Sequence, residues 1–82
     1  MKYFVYVLKD SSGKFYKGMT NNLSRRLREH SMGKTITTAR MTALELIYKE
    51  EFYIFEEARK REVYLKTAAG RRYLKKKLGP MV

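Results

Sequence analysis

Glu62 stands in the stretch EEARKREVYLK, directly behind Arg59, Lys60 and Arg61. In so basic a chain, one carboxylate behind three cations could be no more than a surface ion-pair partner. Its spacing raises a sharper question. Phe55, Ala58, Leu65 and Ala69 recur at three- and four-residue intervals, which marks one apolar stripe of a helix. The interval requires a member at position 62. The Glu62 charge therefore falls at the centre of the stripe, while Arg59, Lys60 and Arg61 fall mostly to other sides. A carboxylate there must meet a cation, a hydrogen-bond donor or a metal, or else take up a proton. A structural salt bridge, to Arg26 or to a lysine, meets that need as well as a functional ion does.

Two further groups could take part in chemistry. Arg26 and His30 are four residues apart in NNLSRRLREH, and so are neighbours on a helix. They flank a buried stripe defined by Leu23 and Leu27, whereas Arg25, Arg28 and Glu29 point further away. Arg26 is thus the arginine aimed at the body of the domain, unless its stem merely lies on apolar surface with its head in water. His30, near the helix end, suits capping or packing. Tyr6 lies in the middle of one strand and Tyr16 on a partner strand, just before Lys17 and Gly18. Tyr16 and Gly18 share a face by the two-residue period, with Lys17 opposite. A glycine inside a strand signals a bulge or a close backbone approach. Strand tyrosines ordinarily pack.

The elements that must position these groups follow from local pattern. KYFVYVLK is a strand, apolar almost throughout and therefore covered on both faces. DSSG is a turn, and KFYKGMT completes a hairpin. NNLSRRLREHSMG is a helix capped by asparagine and ended by Gly33. KTITTAR is a loop and ALELIYKEEF a third strand. IFEEARKREVYLKTAA is a helix stopped near Gly70, and RRYLKKKL is a last short helix ending at Gly79 and Pro80. The order β-β-α-β-α-α predicts a small α+β fold: one three-stranded, mostly antiparallel sheet flanked by helices. The 82 residues suffice for one domain, residues 1–82, with a short flexible tail near 79–82.

Composition narrows the partners. Nineteen Lys and Arg oppose eight Asp and Glu, a formal charge of +11, so polyanions are attracted and nucleic acid is the expected partner. Without cysteine there is no disulfide, thiolate metal site or cysteine nucleophile, which fits a reducing cytoplasm. One histidine excludes a multi-histidine metal site. HExxH, Walker and GxGxxG motifs are missing. The run YFVYVL is far too short for a membrane span, and no membrane partner is expected.

Taken together, these residues resemble the GIY-YIG nuclease domain. Its two signature tripeptides correspond to FVY (Phe4, Val5, Tyr6) and YKG (Tyr16, Lys17, Gly18). Phe4 replaces the leading glycine, and Lys17 stands where isoleucine or valine is usual. NLSRRLREH is similar to the family's catalytic-arginine helix, which implies that role for Arg26. His30 matches a histidine used by some members, and EARKREVYLK is similar to the metal-ligand helix, which implies Glu62 as ligand. The likeness is greatest to small stand-alone bacterial members.

The resemblance implies metal-dependent hydrolysis of phosphodiester bonds in DNA, with one Mg²⁺ or Mn²⁺ on Glu62. Arg26 would clamp non-bridging phosphate oxygens. Tyr6 or Tyr16 would orient the attacking water and accept its proton. A tyrosine base needs its pKa lowered from about 10, which Arg26 and the basic field favour. His30 would share the proton traffic or orient a phosphate. Arg25, Arg28, Lys34, Arg40, Arg71, Arg72 and Lys75 would supply salt-sensitive affinity for nucleic acid. Larger members carry an extra DNA-binding or targeting domain, for which this chain has no room, so specificity could come from a protein partner. The competing expectation is a basic nucleic-acid-binding module that keeps the scaffold without turnover. The nuclease reading requires Glu62, Arg26, Tyr6 and Tyr16 to line one groove, with Glu62 on the same side of the sheet as Tyr16.

Overall fold

The computed structural model describes residues 1–32 and 43–79. Its elements are β1 (Tyr3–Lys9), β2 (Phe15–Thr20), α1 (Leu23–Ser31), β3 (Glu45–Phe52), α2 (Phe55–Leu65) and α3 (Ala68–Leu78). This is the expected α+β order. The sheet is antiparallel throughout, in the order β2-β1-β3. Gly33, the threonine-rich stretch after it and the tail from Pro80 lie outside the described residues.

As its apolar run predicts, β1 is central and covered on both faces: Val5, Tyr6, Val7 and Leu8 are all buried. The two-residue pleat sorts them. Val5 and Val7 face Ala58 and Leu65 of α2 and Leu74 of α3, with Phe15, Met19 and Phe52 packed around them. Tyr6 and Leu8 face the other way. The β1–β2 register sets Tyr6 opposite Gly18 and Leu8 opposite Tyr16. This places both tyrosines on the face away from α2. A turn centred on Asp10 holds the register. Its carboxylate accepts hydrogen bonds from the Ser12 N–H (3.0 Å), the Ser12 hydroxyl (2.8 Å) and the Lys14 N–H (2.8 Å). Burial opposes ionisation, but these bonds and the nearby Lys14 charge hold the carboxyl below its usual range.

Asn22 caps α1, accepting from the Arg25 N–H at 3.1 Å. The expected Leu23–Leu27 stripe is only half-buried, and His30 is the one α1 residue that is fully covered. The helix docks through a polar contact. The Tyr6 hydroxyl lies 2.7 Å from His30 Nε2, and the His30 ring meets the Tyr16 ring edge-on at 4.6 Å. Short α1 has too little apolar surface to dock by leucines alone.

In α2, Ala58, Glu62 and Leu65 form the buried side as expected. Of the other two residues expected in the stripe, Ala69 is exposed on α3, and Phe55 is half-exposed. It sits in the first turn and meets the Tyr3 ring edge-on at 5.7 Å. The expected stop near Gly70 is corrected. The helix ends at Leu65, and Thr67 caps α3, its hydroxyl accepting from the Gly70 N–H at 3.1 Å. Gly70 therefore lies inside the first turn of α3. It is needed there because a Cβ would come within 2.0 Å of the Tyr64 carbonyl oxygen and 2.5 Å of Leu65 Cα. At Gly18 a Cβ would press on the Tyr6 hydroxyl and on Tyr16 Cε1, both at 2.9 Å.

Two predictions follow from this packing. Gly70→Ala meets rigid backbone, and Gly18→Ala meets ring tips. Urea unfolding should show Gly70→Ala destabilised by about 3 kcal/mol or more and Gly18→Ala by about 1–2 kcal/mol, despite alanine's better helix propensity at position 70. A milder effect at Gly70 than at Gly18 would contradict the close α2–α3 approach. The second concerns pH. Burial, then the Arg26 charge, lowers the His30 pKa from its ordinary value of 6.5, against a smaller opposing pull from Glu29. The unfolded chain therefore binds the extra proton first. This contribution to stability is complete above about pH 6.5 and is lost as pH falls from there through the lower folded value. Wild type should lose stability over that window, and His30→Gln should lose measurably less.

Candidate active site

The α1 face of the sheet gathers four of the five residues singled out for catalysis. Tyr6 and Tyr16 come from adjacent strands with ring centroids 6.1 Å apart. His30 touches both. Arg26, one turn earlier on α1, lies against the Tyr6 and Tyr16 hydroxyls and donates to Glu29 Oε1 at 3.1 Å.

The protonation states of this cluster follow from its surroundings. Desolvation raises the Tyr6 pKa well above its ordinary value of 10.0, and the neighbouring Tyr16 adds to this. The Arg26 hydrogen bond and charge only partly oppose it. The expectation that Arg26 would lower Tyr6 enough to make it a base is therefore corrected: at this fully buried phenol, burial outweighs the arginine. Arg26 is held even more firmly in its charged form, chiefly by its bond to Tyr6. The Tyr6 hydroxyl and His30 Nε2 share a 2.7 Å hydrogen bond whose direction is set by the His30 tautomer. Tyr16, half-buried, keeps one side open to solvent.

Glu62 is placed differently. It is buried in the α2 stripe, where Arg59 Nη1 donates to Oε1 at 2.7 Å and Lys66 Nζ donates to Oε2 at 3.3 Å. The cations it meets are thus neighbours on its own helix, one turn to either side, and not Arg26. Because α2 covers the Val5–Val7 face, Glu62 is rooted across the sheet from Tyr6. The requirement that Glu62 lie on the Tyr16 side of the sheet is therefore not met, which counts against one groove shared by all four residues. The two halves approach each other only around the β2 edge, where Phe15, Tyr16, Lys17 and Lys66 line a cleft of about 400 Å³. Tyr16 brings the α1-face cluster to that cleft, and Lys66 brings the Glu62 ion pair.

The expected nucleic-acid contacts divide in the same way. Arg25 and Arg28 are exposed on α1, while Arg71, Arg72 and Lys75 are exposed on α3. Arg71 and Lys75 join Lys17, Phe15 and Leu74 around a second cavity of about 190 Å³. Lys34 and Arg40 lie outside the described residues. Three contributors escaped the sequence reading: Glu29, Lys17 and Lys66. Lys66 was within reach, since it follows Glu62 by one helical turn and points to the same side. Lys17 carried only its parity, opposite Tyr16, as a signal. No helix among the described residues is long and apolar enough to cross a membrane.

Comparison with known proteins gives the family of the chain. The GIY-YIG catalytic domain family matches residues 2–77. A UPF0213 protein of Bacillus pumilus is 42% identical over 67 residues, covering 79% of this chain and 67% of that relative. One from Staphylococcus epidermidis is 33% identical over 75 residues, covering 90% of this chain and 92% of the relative. The solution NMR structure of the UPF0213 protein BH0048 from Bacillus halodurans superposes with a TM-score of 0.61 at 30% identity, covering 98% of this chain and 89% of that one. With a family match over almost the whole fold, the chain belongs to the GIY-YIG catalytic domain family.

Proposed function

We propose that the protein is a divalent-metal-dependent endonuclease that hydrolyses phosphodiester bonds in DNA, reacting at the Tyr16 corner of the β2 edge. The observation that carries this reading is the convergence of Tyr16 and Arg26 over the Tyr6–His30 pair, beside a cleft lined by Lys66, the ion-pair partner of Glu62. Nuclease domains of this family generally depend on a divalent cation, and the residues present are compatible with one. Among the described residues no three acidic or histidine side chains gather to cage an ion. Mg²⁺ and Mn²⁺ sites of the phosphoryl-transfer type need fewer protein ligands, with water and substrate oxygens completing the shell. Glu62 would hold the ion. Arg59 and Lys66 occupy its oxygens, but both are more than half exposed on long stems and can swing toward solvent or a phosphate. A bound cation supplies charge neutralisation at the phosphodiester and its leaving oxygen.

The side chains divide the remaining work. Tyr16 is the tyrosine that opens on the cleft, so it orients the attacking water and takes its proton. Tyr6 keeps its proton and positions His30, which in turn packs on the Tyr16 ring. Arg26 offers its free N–H groups to the non-bridging oxygens, where charge accumulates in the transition state. Lys17 and Lys66 draw the phosphodiester into the cleft. The basic surface steers the polyanion to the site, and a protein partner would add substrate specificity. We place the reaction in the cytoplasm.

A second reading has two observations in its favour. Glu62 is rooted across the sheet from Tyr16, against the requirement stated for the nuclease. Both Glu62 oxygens are already neutralised by cations, as they would be in an inert nucleic-acid-binding module. Cleavage of flapped, branched and single-stranded DNA with Mg²⁺ or Mn²⁺ separates the two. Wild type should cut. Tyr16→Phe and Arg26→Ala should each lose about 100-fold or more in rate. Glu62→Gln should lose cleavage and keep DNA binding. Equal residual cleavage by wild type and Glu62→Gln would mark a contaminant and sink the enzymatic assignment of Glu62. Binding without cleavage by wild type would establish the inert module.

A further inference from the structure

The face of β2 away from the tyrosines carries a cluster of which the proposed reaction uses only Lys17. Lys17, Arg71 and Lys75 rim the 190 Å³ cavity, and its floor is Phe15 and Leu74. None of the three cations has a carboxylate partner among the described residues. Lys17 and Phe15 also line the Tyr16–Lys66 cleft, so the two cavities are adjacent. A lysine on an edge strand can serve merely to discourage pairing with another chain. Lys17 is poorly placed for that, because it is drawn over the α2–α3 side and half-buried. Burial there, followed by the charges of Arg71 and Lys66, depresses its pKa. Such crowding of like charge is costly without an anion to relieve it.

The chemistry of the cavity specifies its occupant. Uncompensated cations call for phosphate, and an apolar floor of an aromatic ring and a leucine calls for a flat, weakly polar group. A nucleotide supplies both. The cavity is smaller than the ~300–1,000 Å³ of sites for drug-sized ligands. It therefore suits one ring system, with the phosphate outside on the rim. A base in a duplex is stacked and paired and cannot reach such a floor, whereas an unpaired base can.

We infer that the Phe15–Leu74 cavity, rimmed by Lys17, Arg71 and Lys75, is a subsite for an unpaired nucleotide flanking the reacting phosphodiester in the Tyr16 cleft. Its place beside the reaction rests on the nuclease reading above, but binding to the subsite does not. Substrates would be engaged where a single strand leaves a duplex or runs free. Lys17, the residue that departs from the family's second tripeptide, would be the anchor shared by subsite and cleft.

The test is equilibrium binding by fluorescence anisotropy in EDTA, so that no cleavage intervenes. The probes are a deoxythymidine octamer and an abasic octamer with the same phosphates. Lys17→Gln/Arg71→Gln is compared with Lys60→Gln/Lys76→Gln, which removes the same charge from exposed positions elsewhere. Two lost contacts to a single strand reduce the salt slope by about 1.4, so the site double should lose about sevenfold less affinity than wild type between 50 and 200 mM salt. Wild type and the control double should prefer the deoxythymidine octamer over the abasic one by about fivefold or more, the least expected from stacking one base. The site double should lose that preference. Equal slopes in the two doubles, or equal binding of the two octamers by wild type, overturns the subsite. Cleavage by wild type with either of those results overturns the subsite alone. The expected binding pattern without any cleavage overturns the nuclease reading alone.

Discussion

The hydrogen bond between the Tyr6 hydroxyl and His30 Nε2 is the contact on which the candidate site depends. It joins the middle of the central strand to the end of α1, a helix with little apolar surface of its own. Both partners are buried, and burial keeps both uncharged: it raises the phenol and lowers the imidazole. A buried pair of neutral groups that satisfy each other avoids the cost of an unpaired polar atom. The bond also fixes the path of α1 over the sheet and sets Arg26 above the two tyrosine hydroxyls. Gly18 is part of the same constraint, since only a residue without a side chain leaves room for both rings.

On the other face of the sheet, a second polar network holds α2 and α3. Arg61 donates twice to Glu50 on β3, at 3.1 and 3.0 Å, and its guanidinium lies over the rings of Tyr64 and Tyr73. Tyr48 bonds to Glu50 and, at 3.0 Å, to Tyr73. Arg61 immediately precedes Glu62 in the chain. Anchoring Arg61 to the sheet sets the rotation of α2, and with it the inward direction of Glu62. The triplet of cations before Glu62 is therefore three different things. Arg61 is a clamp to β3, Arg59 is a partner of Glu62, and Lys60 is exposed surface.

Much of this was legible because it is local. The strand–turn–strand pattern, the Asn22 cap and the stripe through Ala58, Glu62 and Leu65 all depend on residues a few positions apart. The pleat even assigned Lys17 to the face opposite Tyr16. What escaped was whatever depends on depth. Leu23 and Leu27 have the right spacing for a buried stripe, but how deeply α1 sinks is set by the His30 contact. Gly70 reads as a stop, but here it permits two helices to touch. Arg26 beside a tyrosine suggests an acidic phenol, but complete burial of Tyr6 reverses that sign.

By itself, then, the sequence determined the β-β-α-β-α-α order, the strong positive charge and the residue types that could act. It also determined that Glu62 points inward, because helical periodicity is a property of neighbouring residues. Only the tertiary structure decided which face of the sheet each of these groups occupies. Tyr6, Tyr16, Arg26 and His30 gather under α1, Glu62 lies under α2, and the β2 edge is where the two sides approach. The reason is that a strand presents two faces with equal regularity. Which helix covers which face depends on contacts between residues far apart in the chain, and no local pattern contains them.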